Sequence, residues 1–284
     1  DGFATKQFGL DLAYFDFHPA SIEGLRLVGG KMNLPFETAE KTELLWDGDL
    51  NPEGLALRYD RGLGEKASMY LNGGGFYVKD RDPDDESYVG GIQAGFSVKA
   101  TDRVKISAGI GYYDYEGAEG MPLFYSAAKS YGNSKTVIGE DDGEDVFGYA
   151  TDFDEVEALG VVSVSLSEKA GLKLYGDYVR NVAADSLNTG WLLGGAVSYG
   201  KDAGAVKVYA NYRELEADAV VGAFTDSDFC GGGTNGKGLE LGAAYGVAKN
   251  VSLDLTYFVN TRGLKDSDDE SGYERLQADV QVKF

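Results

Sequence analysis

The sequence contains no long apolar run. Hydrophobic residues make up 43% of its 284 residues and the mean hydropathy is −0.27, but the longest nearly apolar stretch is WLLGGAV at residues 191–197. A membrane-spanning helix needs about 18 to 20 continuous apolar residues, so helical spans are excluded. Residues 1–6 also lack the charged-then-apolar layout of a signal peptide. We therefore expect either a cytosolic chain or a processed form.

Histidine and cysteine are nearly absent. The chain has one histidine, His18, which precedes Pro19 at a turn, and one cysteine, Cys230, in a glycine-rich stretch. An internal disulfide is therefore impossible, and neither a zinc cluster nor a Ser-His-Asp triad has the residues that it needs. We expect no catalytic residue, no metal centre and no cofactor. This argues against an outer-membrane lipid hydrolase or acyltransferase, and it leaves Cys230 as a loop thiol.

Basic residues are scarce relative to acidic ones. The chain has 47 acidic and 26 basic residues, a net charge of −21. Proteins that bind nucleic acid rely on Lys and Arg to displace counterions from phosphates, so we expect no nucleic-acid partner. The acidic stretches at 80–87, 139–145 and 266–271 are interpreted as solvated loops. Calcium binding there is a weaker alternative, because 80–87 and 266–271 lack the spacing and glycine of an EF-hand loop.

What the sequence does contain is glycine, tyrosine and a dominant period of two. It has 41 glycines and 19 tyrosines, a mixture typical of strands joined by tight turns. In RVKISAGIGYY at 103–113, Ile106 and Ile110 alternate with Lys105 and Ser107, which indicates a strand with one apolar face. Thirteen such segments begin near residues 8, 22, 53, 67, 88, 103, 155, 171, 190, 205, 237, 250 and 273.

The connections between these segments alternate in length after about residue 60. Short links lie at 99–103, 167–171, 200–204 and 248–250, and long ones at 32–52, 79–87, 116–152, 183–189, 216–236 and 263–272. The segments run to about 9 to 13 residues, the span that a tilted strand needs to cross a bilayer. The sequence therefore predicts an all-β fold: a transmembrane antiparallel β-barrel with short periplasmic turns, long extracellular loops and apolar residues facing lipid.

The strand count is expected to exceed the thirteen segments found. Bacterial single-chain barrels have even strand numbers, so we expect about 14 to 16 strands. A strand missed within 116–152, or strands absent upstream of the first segment, would account for the difference. We expect residues 1–284 to form a single barrel domain.

Two motifs within residues 10–60 carry a family resemblance. GGKMNLPF at 29–36 and WDGDLNPEG at 46–54 resemble the bacterial putative-porin family, although Leu34 interrupts the family's first motif between Asn33 and Pro35. The resemblance implies a water-filled channel in the outer membrane of a Gram-negative-type cell, commonly a homotrimer, in contact with membrane lipid and lipopolysaccharide. It also implies further strands upstream, and three of them would give sixteen.

The long connection at 32–52 is the candidate pore constriction. It is acidic, and the strands beside it carry basic groups. An acidic loop opposite a basic wall would set a field that sorts solutes by charge; an outward, solvated loop remains the alternative. The loop's acidic candidates are Glu37, Glu40, Glu43, Asp47 and Asp49, and the basic wall candidates are Arg26, Lys31 and Arg58.

Further polar residues lie on the predicted lumen face of other strands. They are Lys105, Lys173, Asp177, Lys207, Arg213, Glu240, Asp254 and Asp279. The chain ends on RLQADVQVKF, an alternating strand that stops at Phe284. A terminal aromatic on such a strand resembles the signal by which barrels are handed to the barrel insertion machinery. We expect passive diffusion of small hydrophilic solutes and ions; a structural barrel that anchors or tethers the envelope is the alternative.

Overall fold

The computed structural model describes residues 9–40, 42–79, 87–125, 129–265 and 268–283. These residues form fifteen strands and one short 3-10 helix, Phe229–Gly231. The strands are β1 (Ala13–Phe17), β2 (Leu25–Lys31), β3 (Glu53–Leu63), β4 (Ala67–Lys79), β5 (Ser87–Lys99), β6 (Val104–Tyr115), β7 (Lys135–Asp141), β8 (Glu144–Tyr149), β9 (Phe153–Ser165), β10 (Ala170–Asn181), β11 (Thr189–Tyr199), β12 (Val206–Leu215), β13 (Gly236–Ala248), β14 (Val251–Arg262) and β15 (Ser271–Val282).

Thirteen of these strands form one antiparallel sheet. Its order is β1 to β6 followed by β9 to β15, so every strand pairs with its neighbour in sequence except at β6, which pairs with β9. The thirteen alternating segments of the sequence are therefore confirmed as the strands of this sheet. The insertion between β6 and β9 contains the separate hairpin β7–β8. A strand missed in this region was one of the two explanations offered for the odd count, but the hairpin does not join the main sheet.

The connections differ in length at the two ends of the strands. One end carries the short links at 64–66, 100–103, 166–169, 200–205 and 249–250. The other end carries the long connections at 32–52, 116–152, 182–188, 216–235 and 263–270, together with 80–86, which lies outside the described residues. The predicted arrangement of short turns opposite long loops is confirmed.

The two faces of the sheet reverse the pattern of a soluble protein. Leu55, Ile110 and Leu174 are 66%, 67% and 51% exposed, whereas Asp177 and Arg213 on the opposite face are buried. Water-soluble proteins bury such apolar side chains and expose such charged ones. From β3 onward, the strands of the main sheet are 10 to 13 residues long, with apolar residues outside and polar residues inside. Strands of this length and pattern are typical of a transmembrane β-barrel. No helix among the described residues is long and apolar enough to cross a membrane.

The inward face of the sheet is covered by three long connections, 32–52, 116–152 and 216–235. Rings from these connections pack with rings of the strands; Phe36 lies 4.9 Å from Tyr113, and Tyr115 lies 5.9 Å from Phe224, between ring centroids. We call this buried cluster the aromatic plug. Its members are Phe36, Trp46, Phe76, Tyr113, Tyr115, Phe124, Tyr149, Phe153 and Phe224.

A glycine makes room for the plug at the wall. A Cβ atom on Gly91 of β5 would lie 2.6 Å from the Phe36 ring and 2.7 Å from the Tyr113 ring. Any larger residue at position 91 would push Phe36 off the wall, because carbon atoms pack at about 3.5 to 4.0 Å. The close approach of the 32–52 segment thus depends on a residue without a side chain.

Candidate functional site

The 32–52 segment is held against the inward face by hydrogen bonds to several strands. The Glu37 amide donates to Gln93 Oε1 of β5 at 2.8 Å, and Gln93 Nε2 donates back to the Glu37 carbonyl at 2.8 Å. The Thr42 hydroxyl donates to Asp177 Oδ2 of β10 at 3.4 Å. Since one segment contacts strands that lie far apart in the sheet order, the sheet curves around it.

Two carboxylates of the segment form ion pairs with the wall on opposite sides. Glu37 Oε1 lies 2.8 Å from Arg58 Nη2 of β3. Glu40 lies 2.6 Å from Lys173 Nζ of β10 and 3.6 Å from Lys207 Nζ of β12. The loop and the wall therefore meet in direct contact at these points.

The remaining acidic candidates of the segment have different surroundings. Glu43 Oε1 accepts the Gly48 amide at 2.9 Å. Asp47 Oδ2 accepts the Ser227 amide at 3.0 Å, and its other oxygen accepts the Asp49 amide at 2.9 Å. The Asp49 side chain is exposed. These bonds fold the end of the segment and attach it to the 216–235 connection.

Burial raises the pKa of Glu43. The pKa rises from its usual 4.5 to about 8, first because the carboxyl is removed from water and second because the Asp226 carboxylate lies nearby. The Gly48 amide and the Arg213 guanidinium act in the opposite direction, and Asp47 adds to the rise. Glu43 is therefore a segment carboxyl that titrates near neutral pH.

Of the three basic wall candidates, Arg58 is the one that meets a carboxylate of the segment. Arg26 forms its ion pair with Asp16 of β1. Lys31 Nζ donates to the Asn51 carbonyl at 3.1 Å. The cations that face Glu40 are instead Lys173 and Lys207, which the sequence placed in the lumen but did not connect with the segment.

Arg213 ties the 216–235 connection to the wall. Its Nη2 atom lies 2.7 Å from Asp226 Oδ2 and 3.3 Å from Glu240 Oε2, and its guanidinium carbon lies 4.3 Å from the centre of the Phe229 ring. Glu240 also accepts the Tyr209 hydroxyl at 2.8 Å. The side chain of Arg213 is buried and reaches the Glu43 carbonyl at 3.5 Å, so one guanidinium joins two connections to β12 and β13.

Asn133 joins the insertion before β9 to the same connection. Its side-chain amide donates to the carbonyls of Ala217 and Val220 at 2.7 and 2.8 Å, and its oxygen accepts the Gly222 amide at 2.8 Å. All of these contacts are buried. The three connections therefore form one packed body inside the curved sheet.

Two buried carboxylates were not singled out from the sequence. Glu157 Oε2 accepts the Tyr113 hydroxyl at 2.8 Å and Gln93 Nε2 at 3.0 Å, and Glu155 Oε1 accepts the Val221 amide at 3.0 Å. Both lie on β9. The alternation FDEVEAL places them on the same face as Phe153, and this signal could have identified them.

The other lumen candidates are less connected. Lys105 lines a cavity of about 500 Å³ between the 32–52 segment and the short-turn end of the strands, together with Asp60 and Lys173. Asp254 and Asp279 are paired across β14 and β15. Asp254 accepts the Ser252 hydroxyl at 2.8 Å, and Asp279 is exposed.

Further cavities remain around the packed connections. One of about 180 Å³ lies between Glu40 and Glu43 on one side and Arg213 and Glu240 on the other. Another of about 380 Å³ lies at the long-loop end of β2 to β5. Polar space is thus present on both sides of the 32–52 segment.

Several sequence candidates fall outside the described residues. They include Phe284, nearly all of the acidic stretch 80–87, and residues 266 and 267 of the third acidic stretch. The stretch 139–145 is exposed and lies at the tip of the β7–β8 hairpin. Within the described ranges, no three or more His, Cys, Asp or Glu side chains are grouped to hold a metal ion.

Cys230 is a buried thiol. Its sulfur donates to the Thr261 carbonyl at 3.6 Å, and burial raises its pKa to about 12. A thiol of this kind is a weak nucleophile because the reactive thiolate is not formed near neutral pH. The thiol expected in an open loop is therefore packed against β14.

The apolar outer face, the polar inner face and the segment that crosses the interior define a membrane-embedded β-barrel of the channel class. The chain matches the family described as "Putative porin" over residues 1–138 and 127–284, which together span its whole length. The chain belongs to this family, and the resemblance carried by its two motifs is confirmed.

Solved outer-membrane channels share a distant likeness with the chain. The outer membrane channel DcaP of Acinetobacter baumannii is 11% identical, with a TM-score of 0.49, over 91% of this chain and 71% of that one. The CymD monoaromatic hydrocarbon channel is 10% identical, with a TM-score of 0.39, over 95% of this chain and 81% of that one. No curated protein matches the chain.

Proposed function

We propose that the chain forms a channel in the outer membrane of a Gram-negative-type cell, through which small hydrophilic solutes and ions diffuse passively. The observation that carries the proposal is the reversal of faces along the strands. Apolar residues such as Ile110 and Leu174 are exposed, while Arg213, Asp177 and Asn211 are turned inward. A sheet with this distribution is stable in lipid and turns polar side chains toward its inward face.

The 32–52 segment supplies the constriction of the proposed channel. Its ion pairs with Arg58, Lys173 and Lys207 hold it across the interior, and its Phe36 and Trp46 rings pack into the aromatic plug. A solute that passes must follow the polar cavities beside the segment. We therefore expect a small unit conductance and selection against large solutes.

Planar-bilayer recording tests this function. The purified protein should produce discrete current steps in potassium chloride, and the Glu37→Gln and Glu40→Gln variants should change their size or ion preference. Absence of current steps at any voltage would contradict the proposal. Liposome swelling with sugars of increasing size provides a second measure, because passive channels show a cut-off that depends on solute size.

The family membership supports a further proposal about assembly. We propose a homotrimer, surrounded by outer-membrane lipid and lipopolysaccharide and placed there by the barrel insertion machinery through the aromatic Phe284. Chemical cross-linking in native membranes tests the trimer, because a ladder that ends at three subunits is expected. Deletion of Phe284 should lower the amount of inserted protein, and an unchanged amount would contradict its proposed role.

A further inference from the structure

The cavity of about 380 Å³ at the long-loop end has aromatic walls. Its lining includes rings of the aromatic plug, Trp46, Phe76 and Phe224, and the rings of Tyr77 and Tyr125. Tyr125 is 64% exposed, and its ring lies edge-on to Phe224 at 5.7 Å. Small-molecule sites are commonly of this size and lined by apolar and aromatic side chains. The cavity can therefore take a compact organic molecule.

The polar lining of the same cavity is acidic. Three carboxylates, Asp11, Asp49 and Glu53, stand against one cation, Lys31. Lys31 donates to the Asn51 carbonyl at 3.1 Å, and Asp11 accepts the Asn51 side-chain amide at 2.7 Å. Among the residues that the structure describes, none of these four charged side chains forms an ion pair within 4.0 Å. Among the described lining residues, the cavity therefore carries an excess of negative charge.

We propose that this cavity binds a monovalent organic cation with an apolar body, of the alkylammonium or arylammonium class. Aromatic faces attract such cations through the ring quadrupole, and the carboxylates add attraction that an anion or a neutral analogue lacks. A small inorganic cation gains less, because the apolar rings do not replace its hydration shell. Only transport of such a cation through the protein would rest on the proposed channel function. Binding itself can be measured without current.

The tryptophan content of the chain permits a direct binding assay. The chain has two tryptophans, Trp46 in the cavity wall and Trp191 on β11, whose ring lies tilted against Tyr212 of β12 at 5.5 Å between centroids. In the Trp191→Phe variant, Trp46 is the single indole reporter. Titration with benzyltrimethylammonium chloride should change its emission saturably. Benzoate carries a similar ring with a negative charge, and benzyl alcohol carries one with no charge. Both should bind with an affinity at least about tenfold lower.

Charge variants assign the binding to the cavity. All charge variants are made in the Trp191→Phe background. Asp49→Asn combined with Glu53→Gln removes two negative charges next to the rings and should weaken benzyltrimethylammonium binding about tenfold. Lys31→Gln removes the positive charge and should strengthen the binding. The matched control is Glu65→Gln with Asp102→Asn. It removes the same charge from exposed short turns at the other end of the strands and should leave the affinity unchanged.

The outcomes separate this inference from the channel function. Equal affinity for the cation and benzoate, or equal weakening by the cavity and control variants, would overturn the cation site even if current steps are seen. Saturable binding that follows the charge variants, with no current steps, would support the site and contradict the channel. If the double variant fails to fold, Lys31→Gln alone tests the site. A benzyltrimethylammonium affinity that does not rise in Lys31→Gln would contradict the proposal.

Discussion

The Arg213 guanidinium lies 2.7 Å from the Asp226 carboxylate, and the two side chains are 2% and 5% exposed. The pair joins β12 to the 216–235 connection and is completed by Glu240 of β13 at 3.3 Å. A buried ion pair is strongly destabilising when one partner is removed, because the other charge is left in a site of low dielectric. This cluster therefore fixes the position of the interior connection on the wall.

Replacement of Arg213 by alanine should destabilise the protein by about 3 to 5 kcal/mol. The variant leaves the buried Asp226 carboxylate and the partly buried Glu240 carboxylate without their cation. Urea unfolding in lipid vesicles, followed by tryptophan fluorescence, measures the change. Lys207→Ala, on the same face of β12, is the matched control. Its side chain is 43% exposed, so its loss should cost less than about 1 kcal/mol; equal effects of the two substitutions would contradict the prediction.

Cys230 should report on the release of the 216–235 connection. It follows Phe229, on which Arg213 stacks at 4.3 Å, and its thiol is buried with a pKa raised to about 12. In the native protein, we expect maleimide labelling to be at least about a hundredfold slower than that of an exposed cysteine, since the thiolate is the reacting species. Labelling should accelerate in Arg213→Ala. A thiol that reacts rapidly in the unmodified protein would show that the connection is not held as described.

Glu40→Gln should shift the ion preference of the channel toward anions. Glu40 is the carboxylate that faces both Lys173 and Lys207, and its loss leaves two ammonium groups uncompensated at the constriction. Stability should change by less than about 1 kcal/mol, because both lysines are partly exposed. The reversal potential in a potassium chloride gradient measures the shift. Lys173→Gln should move it in the opposite direction, and Asp102→Asn on a short turn should leave it unchanged.

The strands of the sheet could be predicted from the sequence because the period of two is a local signal. The segments expected near residues 53 and 67 begin as strands at Glu53 and Ala67. The first segment is shorter than expected. It was placed near residue 8, but β1 begins at Ala13. The last residue of β2, Lys31, pairs with Ala13, so β2 offers no backbone partner for the residues that precede Ala13.

The contacts inside the barrel could not be predicted, because they depend on how the sheet curves. Glu40 and Lys173 are 133 positions apart in the chain, and no local pattern relates them. Arg26 was expected to face the 32–52 segment. It lies instead near the short-turn end of β2, whereas the segment leaves from the other end of that strand, and the carboxylate within its reach is Asp16 of β1.

A charge on the outer face should be costly, whereas one on the inner face should not. Ile110, in the middle of β6, is 67% exposed. Ile110→Lys should lower the stability by about 2 to 4 kcal/mol, because the ammonium would enter the bilayer midplane. Ser107→Lys on the inward face of the same strand is the matched control, since Ser107 lines the polar cavity of about 500 Å³. Urea unfolding in vesicles checks the difference, and equal costs would contradict the assignment of faces.

Glu43 should make the stability of the protein depend on pH. Because its pKa is raised in the folded state from 4.5 to about 8, the folded protein keeps a proton that the unfolded chain loses. This stabilising contribution is complete below pH 4.5 and is lost as the pH rises through 8, with a slope of at most about 1.4 kcal/mol per pH unit. Unfolding midpoints measured between pH 5 and pH 9 should fall in the unmodified protein. The slope should be flatter in Glu43→Gln, which cannot ionise beside Asp226 and Asp47, and unchanged in the control Glu65→Gln; a Glu43→Gln variant with the original slope would assign the pH dependence to another group.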